Sequence, residues 1–209
     1  MNTAPSLTAL KPLFASAWHD AGAHTDGTAL CDALLGAYAE PQRHYHSTQH
    51  LAECLQGFEV VRHLAQRPAE VALALWFHDA VYDVHGHDNE AQSAAWARQA
   101  LTTAGVQADV AERVYELVMA TRHTSAPAAG DAQLLVDIDL SILGADAQRF
   151  AQYGQQIRKE YAFVPEDLFR TKRKEVLQSF AARPRIYGTD HFHATLEARA
   201  RVNLAQAVA

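Results

Sequence analysis

The sequence predicts an all-α protein, and three observations carry that reading. The hydrophobic fraction of 49% comes largely from alanine and leucine, while valine and isoleucine are sparse, a balance that favours helix over sheet. Apolar residues recur at three- and four-residue steps over long stretches, as amphipathic helices require. Proline and glycine fall singly between those stretches, with no internal repeat and no low-complexity linker. A chain of 209 residues suits one compact domain, and it buries enough core to fold without disulfides or a structural metal.

Taken in order, helices are expected over 6–20 and 26–38. The next starts near Ser47 and stops before Pro68, because Leu51, Cys54, Leu55, Phe58, Val61, Leu64 and Ala65 lie on one face. His50 belongs to its first turn. The segment AEVALALWFH, Ala69 to His78, is apolar almost all round and should be the most buried helix, its C-terminal end carrying His78 and Asp79 inward. Helices over 89–103 and 109–121 follow. LLVDIDLSILG (134–144) alternates like a strand, but one strand without a partner cannot satisfy its edges, so it reads as a buried helix. Helices over 146–161, 166–182 and 190–207 complete the chain.

Charge and cysteine usage narrow the function classes. Eighteen basic against 24 acidic residues give a net charge of −6, with no basic block to grip a phosphate backbone, so no stable nucleic-acid partner is expected. Cys31 and Cys54 match neither a disulfide framework nor a zinc knuckle, which suits a reducing compartment. No apolar run reaches membrane-spanning length, and the opening MNTAPSLTALKPLF lacks a basic region followed by a long apolar stretch. A cytoplasmic protein with no membrane partner is expected, with self-association left open.

Four features bear on chemistry: the histidines His44, His46 and His50, the pair His78-Asp79, the acids Asp137 and Asp139 inside an apolar segment, and His123 after a helix. Each has a bland alternative, such as a cap or a solvated side chain. The His78-Asp79 pair follows the most apolar helix, where burying an imidazole and a carboxylate is costly without compensation. A divalent metal compensates both, since imidazole nitrogen and carboxylate oxygen suit zinc, manganese, iron, cobalt or nickel. The same argument applies to Asp139. Asp137, two residues away, cannot share its helical face and is the fallback.

The order His50, His78-Asp79, Asp139 resembles the H…HD…D signature of the HD-domain metal-dependent phosphohydrolases. YHSTQHL resembles an element of the wider superfamily, LWFHDAVYD followed by DNEAQSA resembles a predicted HD phosphohydrolase subgroup of small bacterial proteins, and DIDLSILG resembles the last-aspartate element. This covers about 40–145 closely, and IRKEYAFVPEDLFRTKRKEVLQSFAARPRIY extends the likeness to nearly full length. The resemblance implies a single HD-type helical bundle over 1–209, with its core at about 40–145 and C-terminal helices 146–207 packed on it.

It further implies one divalent metal ion (Mn, Co, Ni, Zn, Fe or Mg) held by His50, His78, Asp79 and Asp139. His46 takes the position of a proton donor to the leaving group in related phosphodiesterases, and on a continuous helix it would neighbour His50 at about 5–6 Å. Glu90 would orient a ligand histidine or the attacking water, or serve as a dipole-favoured cap. Asp83 fits the subgroup's YD element. Arg43, His123, Arg158 and Lys172 or Arg173 are candidates to contact substrate, each balanced by a structural reading. His85 and His87 lie in a polar loop and are expected to face solvent, with recruitment of a second ion as the alternative. The implied activity is hydrolysis of a small-molecule phosphate ester, such as a nucleotide, by a metal-activated water. A non-catalytic nucleotide or metal sensor on the same scaffold is the main alternative, and di-iron oxygen chemistry a more distant one.

Overall fold

The computed structural model describes residues 7–123 and 127–208, except the side chains of residues 7 and 8. Among these residues there are ten α-helices and no strand. The chain divides into two compact units, Met1–Val136 and Asp137–Ala209.

The first unit holds α1 (Leu7–Asp20), α2 (Thr28–Tyr38), α3 (Thr48–Val61), α4 (Pro68–Phe77), α5 (Asn89–Thr103) and α6 (Ala108–Met119). α4 is its axis. Every residue from Val71 to Phe77 is buried, and α4 packs against α1, α3, α5 and α6. A helix apolar on all sides must be surrounded, as the sequence predicts. Pro68 opens it at a position where a missing N–H costs nothing. The two preceding amides, of Gln66 and Arg67, donate to the carboxylate of Asp131 at 2.7 and 2.9 Å. The polar edge of α4 is closed by Glu70, which accepts both ends of the Arg113 guanidinium from α6 at 2.8 and 2.7 Å. Such a two-point contact fixes the two helices in register.

α3 is shorter than its apolar pattern suggests. The α-helix ends at Val61 and the chain tightens into a 3-10 turn, Arg62–Leu64. Leu64 is exposed, so the last apolar step of the pattern does not reach the core. Tightening of this kind is common where a helix runs out of packing.

α7 (Asp131–Asp139) begins in the first unit and ends in the second, continuing as a 3-10 turn, Leu140–Gly144. The ambiguous 134–144 segment is therefore helical, with a change of pitch. In the second unit, α8 (Ala147–Glu160) and α10 (Asp190–Val208) pack on that turn, and α9 (Glu166–Ala181) packs on α10. Gly144 permits the close approach of α10, because a β-carbon there would lie 2.7 Å from the Leu196 Cβ. The turn's end carbonyls, Leu143 and Ala145, both accept from Asn203 Nδ2 at 2.9 Å. No helix among the described residues is long and apolar enough to cross a membrane.

Candidate metal centre

The site is built where the start of α3 meets the end of α4. Ser47 stands extended before α3, so His50 falls in the helix's first turn, buried at 2% exposure. α4 ends at Phe77 and His78 continues in helical conformation, 1% exposed. His78 Nδ1 lies 2.7 Å from the Leu75 carbonyl oxygen. That oxygen can only accept, so Nδ1 carries the proton and Nε2 is the acceptor of the neutral ring.

Three electron-rich atoms converge from this arrangement. His78 Nε2 lies 3.0 Å from His50 Nε2 and 3.1 Å from Asp79 Oδ2. His50 Nε2 lies 3.5 Å from the same oxygen. In the metal-free protein burial would raise the Asp79 carboxyl, but positive charge on His78, His46 and His50 outweighs it and holds the group below the ordinary carboxylate range. Lone pairs facing each other at such distances need a proton or a cation among them. A divalent metal fits the donor set, two imidazoles and a carboxylate. Ligands about 2.0–2.1 Å from a tetrahedral ion stand about 3.3–3.4 Å apart, close to the separations present here.

A further donor joins the group. Cys54, one turn after His50 on α3, places Sγ 3.7 Å from both ring nitrogens of His50. His50, Cys54 and His78 each offer a ligand atom within 4.8 Å of the others. The sequence pattern assigns Cys54 only to the core stripe of α3, and its four-residue spacing from His50 is the one signal that could have found it.

His46 differs from the expectation of one continuous helix. α3 begins at Thr48, so His46 belongs to the preceding turn, and its ring centroid is 6.1 Å from that of His50. Packing, not helical spacing, sets its position: it stacks on Tyr82 at 4.1 Å and meets Tyr45 edge-on at 4.9 Å. Sequence reasoning gave no role to either tyrosine. His46 is half-buried and the Asp79 side chain 18% exposed, so this side of the cluster reaches solvent while His50, Cys54 and His78 do not.

Arg43 lies beneath the turn that carries Asp79. It is buried and donates from Nε to Glu40 at 2.9 Å, from Nη1 to the carbonyls of Asp79 and His46, and from Nη2 to the Ala80 carbonyl at 2.9 Å. These bonds give the guanidinium a scaffolding task. The Asp79 amide donates to the buried Tyr38 hydroxyl at 3.1 Å, which completes the clamp. Arg43→Ala would strand the Asp79 and Ala80 carbonyls and is expected to cost about 2–4 kcal/mol. Chemical denaturation measures that cost. Lysine would restore little of it, having one point charge where a planar fork is used.

The remaining candidates lie as follows. Glu90 is half-buried in the first turn of α5. Asp83 is exposed, and its carboxylate accepts from the His85 amide at 2.9 Å. His85 and His87 are exposed, as expected, and His44 is half-buried. His123 follows a 3-10 turn (Ala120–Arg122) after α6 in left-handed conformation, with φ of 53°, unusual for a residue other than glycine. In the second unit, Arg158 donates to Glu166 at 2.9 Å and to the carbonyls of Tyr161 and Val164, over the Phe169 ring. Lys172 is exposed and pairs with Glu175 at 2.8 Å, while Arg173 lies over the Tyr153 ring. Asp139 is the last residue of α7 and is half-buried.

Asp137 has a structural role. Fully buried, it accepts from the amides of Gly188 and Thr189 at 3.0 and 2.7 Å and from the Thr189 hydroxyl at 2.6 Å, fixing the turn that leads into α10. Comparison with protein-family models, curated proteins and solved structures finds no match.

Proposed function

We propose that the protein is a metal-dependent phosphohydrolase that cleaves a phosphate ester of a nucleotide or related small molecule. The observation that carries this reading is the convergence of His50 Nε2, His78 Nε2 and Asp79 Oδ2 within 3.0–3.5 Å, with His46 beside them on the side that reaches solvent. The likeness of the same residues to the HD-domain phosphohydrolases supports it, and that likeness assigns a further ligand to Asp139.

A divalent ion bound by these residues supplies Lewis acidity and makes nearby water a better nucleophile near neutral pH. The residues of the chain do the rest. His78 is held in one tautomer by Leu75, and the Asp79 backbone is held by Arg43 and Tyr38, so the donors are fixed before an ion arrives. His46, packed between Tyr45 and Tyr82, is the group placed to donate a proton in its imidazolium form. In the proposed reaction a water oxygen attacks phosphorus and releases a proton to bulk solvent, the bond to the leaving oxygen breaks, and His46 N–H protonates that oxygen.

The test combines metal analysis with phosphate release from a panel of nucleotides and phosphodiesters in Mn²⁺, Co²⁺, Ni²⁺, Zn²⁺, Fe²⁺ or Mg²⁺. Turnover with at least one pairing is expected. His46→Ala should keep its metal and lose about 10²–10⁴-fold in rate, the usual contribution of a positioned general acid. Metal and nucleotide binding without turnover would instead make the chain a sensor, and a protein that binds no metal would end both readings.

A further inference from the structure

We infer that Cys54 is a metal ligand, so that the centre contains a thiolate and takes a zinc-class ion, zinc, ferrous iron or cobalt, in preference to magnesium or manganese. This rests on the metal site proposed above and goes further, because the expected ligand set contains only nitrogen and oxygen.

The first argument is geometric. A thiolate bound at about 2.3 Å and an imidazole nitrogen at about 2.0–2.1 Å stand about 3.6 Å apart around a tetrahedral ion. Cys54 Sγ lies 3.7 Å from both His50 Nε2 and His50 Nδ1, and the ligand atoms of His50, Cys54 and His78 lie within 4.8 Å of one another, so a turn of the His50 ring brings its Nε2 lone pair and the sulfur onto one ion. One turn of α3 separates the two residues, the spacing that brings side chains onto one helical face. The thiol, 1% exposed, is as enclosed as the rings of His50 and His78.

The second argument is charge. Beside two neutral imidazoles, the Asp79 carboxylate and the Cys54 thiolate match a divalent cation in charge, and Asp139, the further ligand of the likeness, would add one negative charge to that balance. On binding, the S–H bond breaks, the proton passes to solvent and a metal–sulfur bond forms. A soft sulfur donor in a set with two imidazoles favours zinc and its neighbours, whereas magnesium and manganese favour oxygen. Cys31, the other cysteine, shows what burial does without such partners. Its thiol is pushed up to about 11 by burial, with nearby Asp32 adding to the effect.

Cobalt substitution tests the inference by a spectrum and not by rate. The full-length protein loaded with Co²⁺ should show a near-ultraviolet sulfur-to-cobalt charge-transfer band, which Cys31→Ala keeps and Cys54→Ala loses. Zinc affinity of Cys54→Ala should fall at least about tenfold, since losing even an outer-shell partner costs about 10–100-fold, and circular dichroism should report an intact helical fold. Cys54→Ser, closer in size, guards against a packing defect and should also lose the band. Cobalt bound without the band, or a band that survives in Cys54→Ala, overturns the thiolate assignment while leaving the metal site standing. Absence of cobalt and zinc binding in the unmodified protein overturns both.

Discussion

Asp79→Ala is expected to strip the protein of retained metal while leaving its helices intact. The carboxylate supplies an oxygen placed within 3.5 Å of both imidazole nitrogens, so its loss removes a donor and a negative charge together. The affinity loss should exceed the about 10–100-fold effect of an outer-shell partner. The fold should survive because the residue's structural bonds belong to its backbone. Its amide still donates to Tyr38 and its carbonyl still accepts from Arg43. Asp79→Asn keeps the shape and loses the charge, so it should fall between the two. Metal content after dialysis, read beside a circular dichroism melt, checks the result, and full retention by the alanine variant would place the metal elsewhere.

The same carboxylate gives a signed dependence on pH in the metal-free protein. The folded structure holds Asp79 below the ordinary carboxylate range. Its contribution is therefore fully present above the unfolded value of about 4 and is lost as pH falls through the folded one. Acid unfolding of metal-free protein should thus be less steep in Asp79→Ala than in the unmodified chain.

What the sequence discloses follows from which features repeat. Helices are legible because each face recurs every three or four residues, and α4 is especially so because its pattern has no polar face. Helix ends are not, since the stop of α3 at Val61 depends on Leu64 failing to find a core neighbour. His50, His78 and Asp79 stand out as polar groups against apolar runs. Cys54 does not, because a buried cysteine behaves as a small hydrophobe and joins the core stripe unremarked. The task of Arg43 is illegible for another reason: its bonds go to the Glu40 carboxylate and to the carbonyls of His46, Asp79 and Ala80, the last two far along the chain, where no local pattern reports them. The Tyr45 and Tyr82 contacts to His46 come from turns and so leave no periodic trace.

Asp137 and Asp139 form the pair on which helical reasoning was most exposed, since a one-step error in register exchanges them. Successive helical residues turn by about 100°, so the two carboxylates point about 200° apart and cannot serve one task. Asp137 meets two amides and a hydroxyl at the turn before α10, all at 3.0 Å or less. Charge-assisted bonds contribute about 1.5–3 kcal/mol each, and the accepting carboxylate is fully buried, although its donors Gly188 and Thr189 are exposed and half-buried. Asp137→Ala should therefore cost about 3 kcal/mol or more, measured by denaturant unfolding. Asp137→Asn should cost less, because its carbonyl oxygen still accepts from an amide, although its NH₂ faces donors. Thr189→Val removes the hydroxyl alone and should cost about 1 kcal/mol. A double-mutant cycle between positions 137 and 189 should return a coupling of about 0.5–3 kcal/mol. Where the Asp137→Ala protein remains folded, its metal content should match the unmodified chain, while the likeness to the HD-domain phosphohydrolases implies that Asp139→Ala lowers it. The reverse outcome would exchange the roles of the two aspartates.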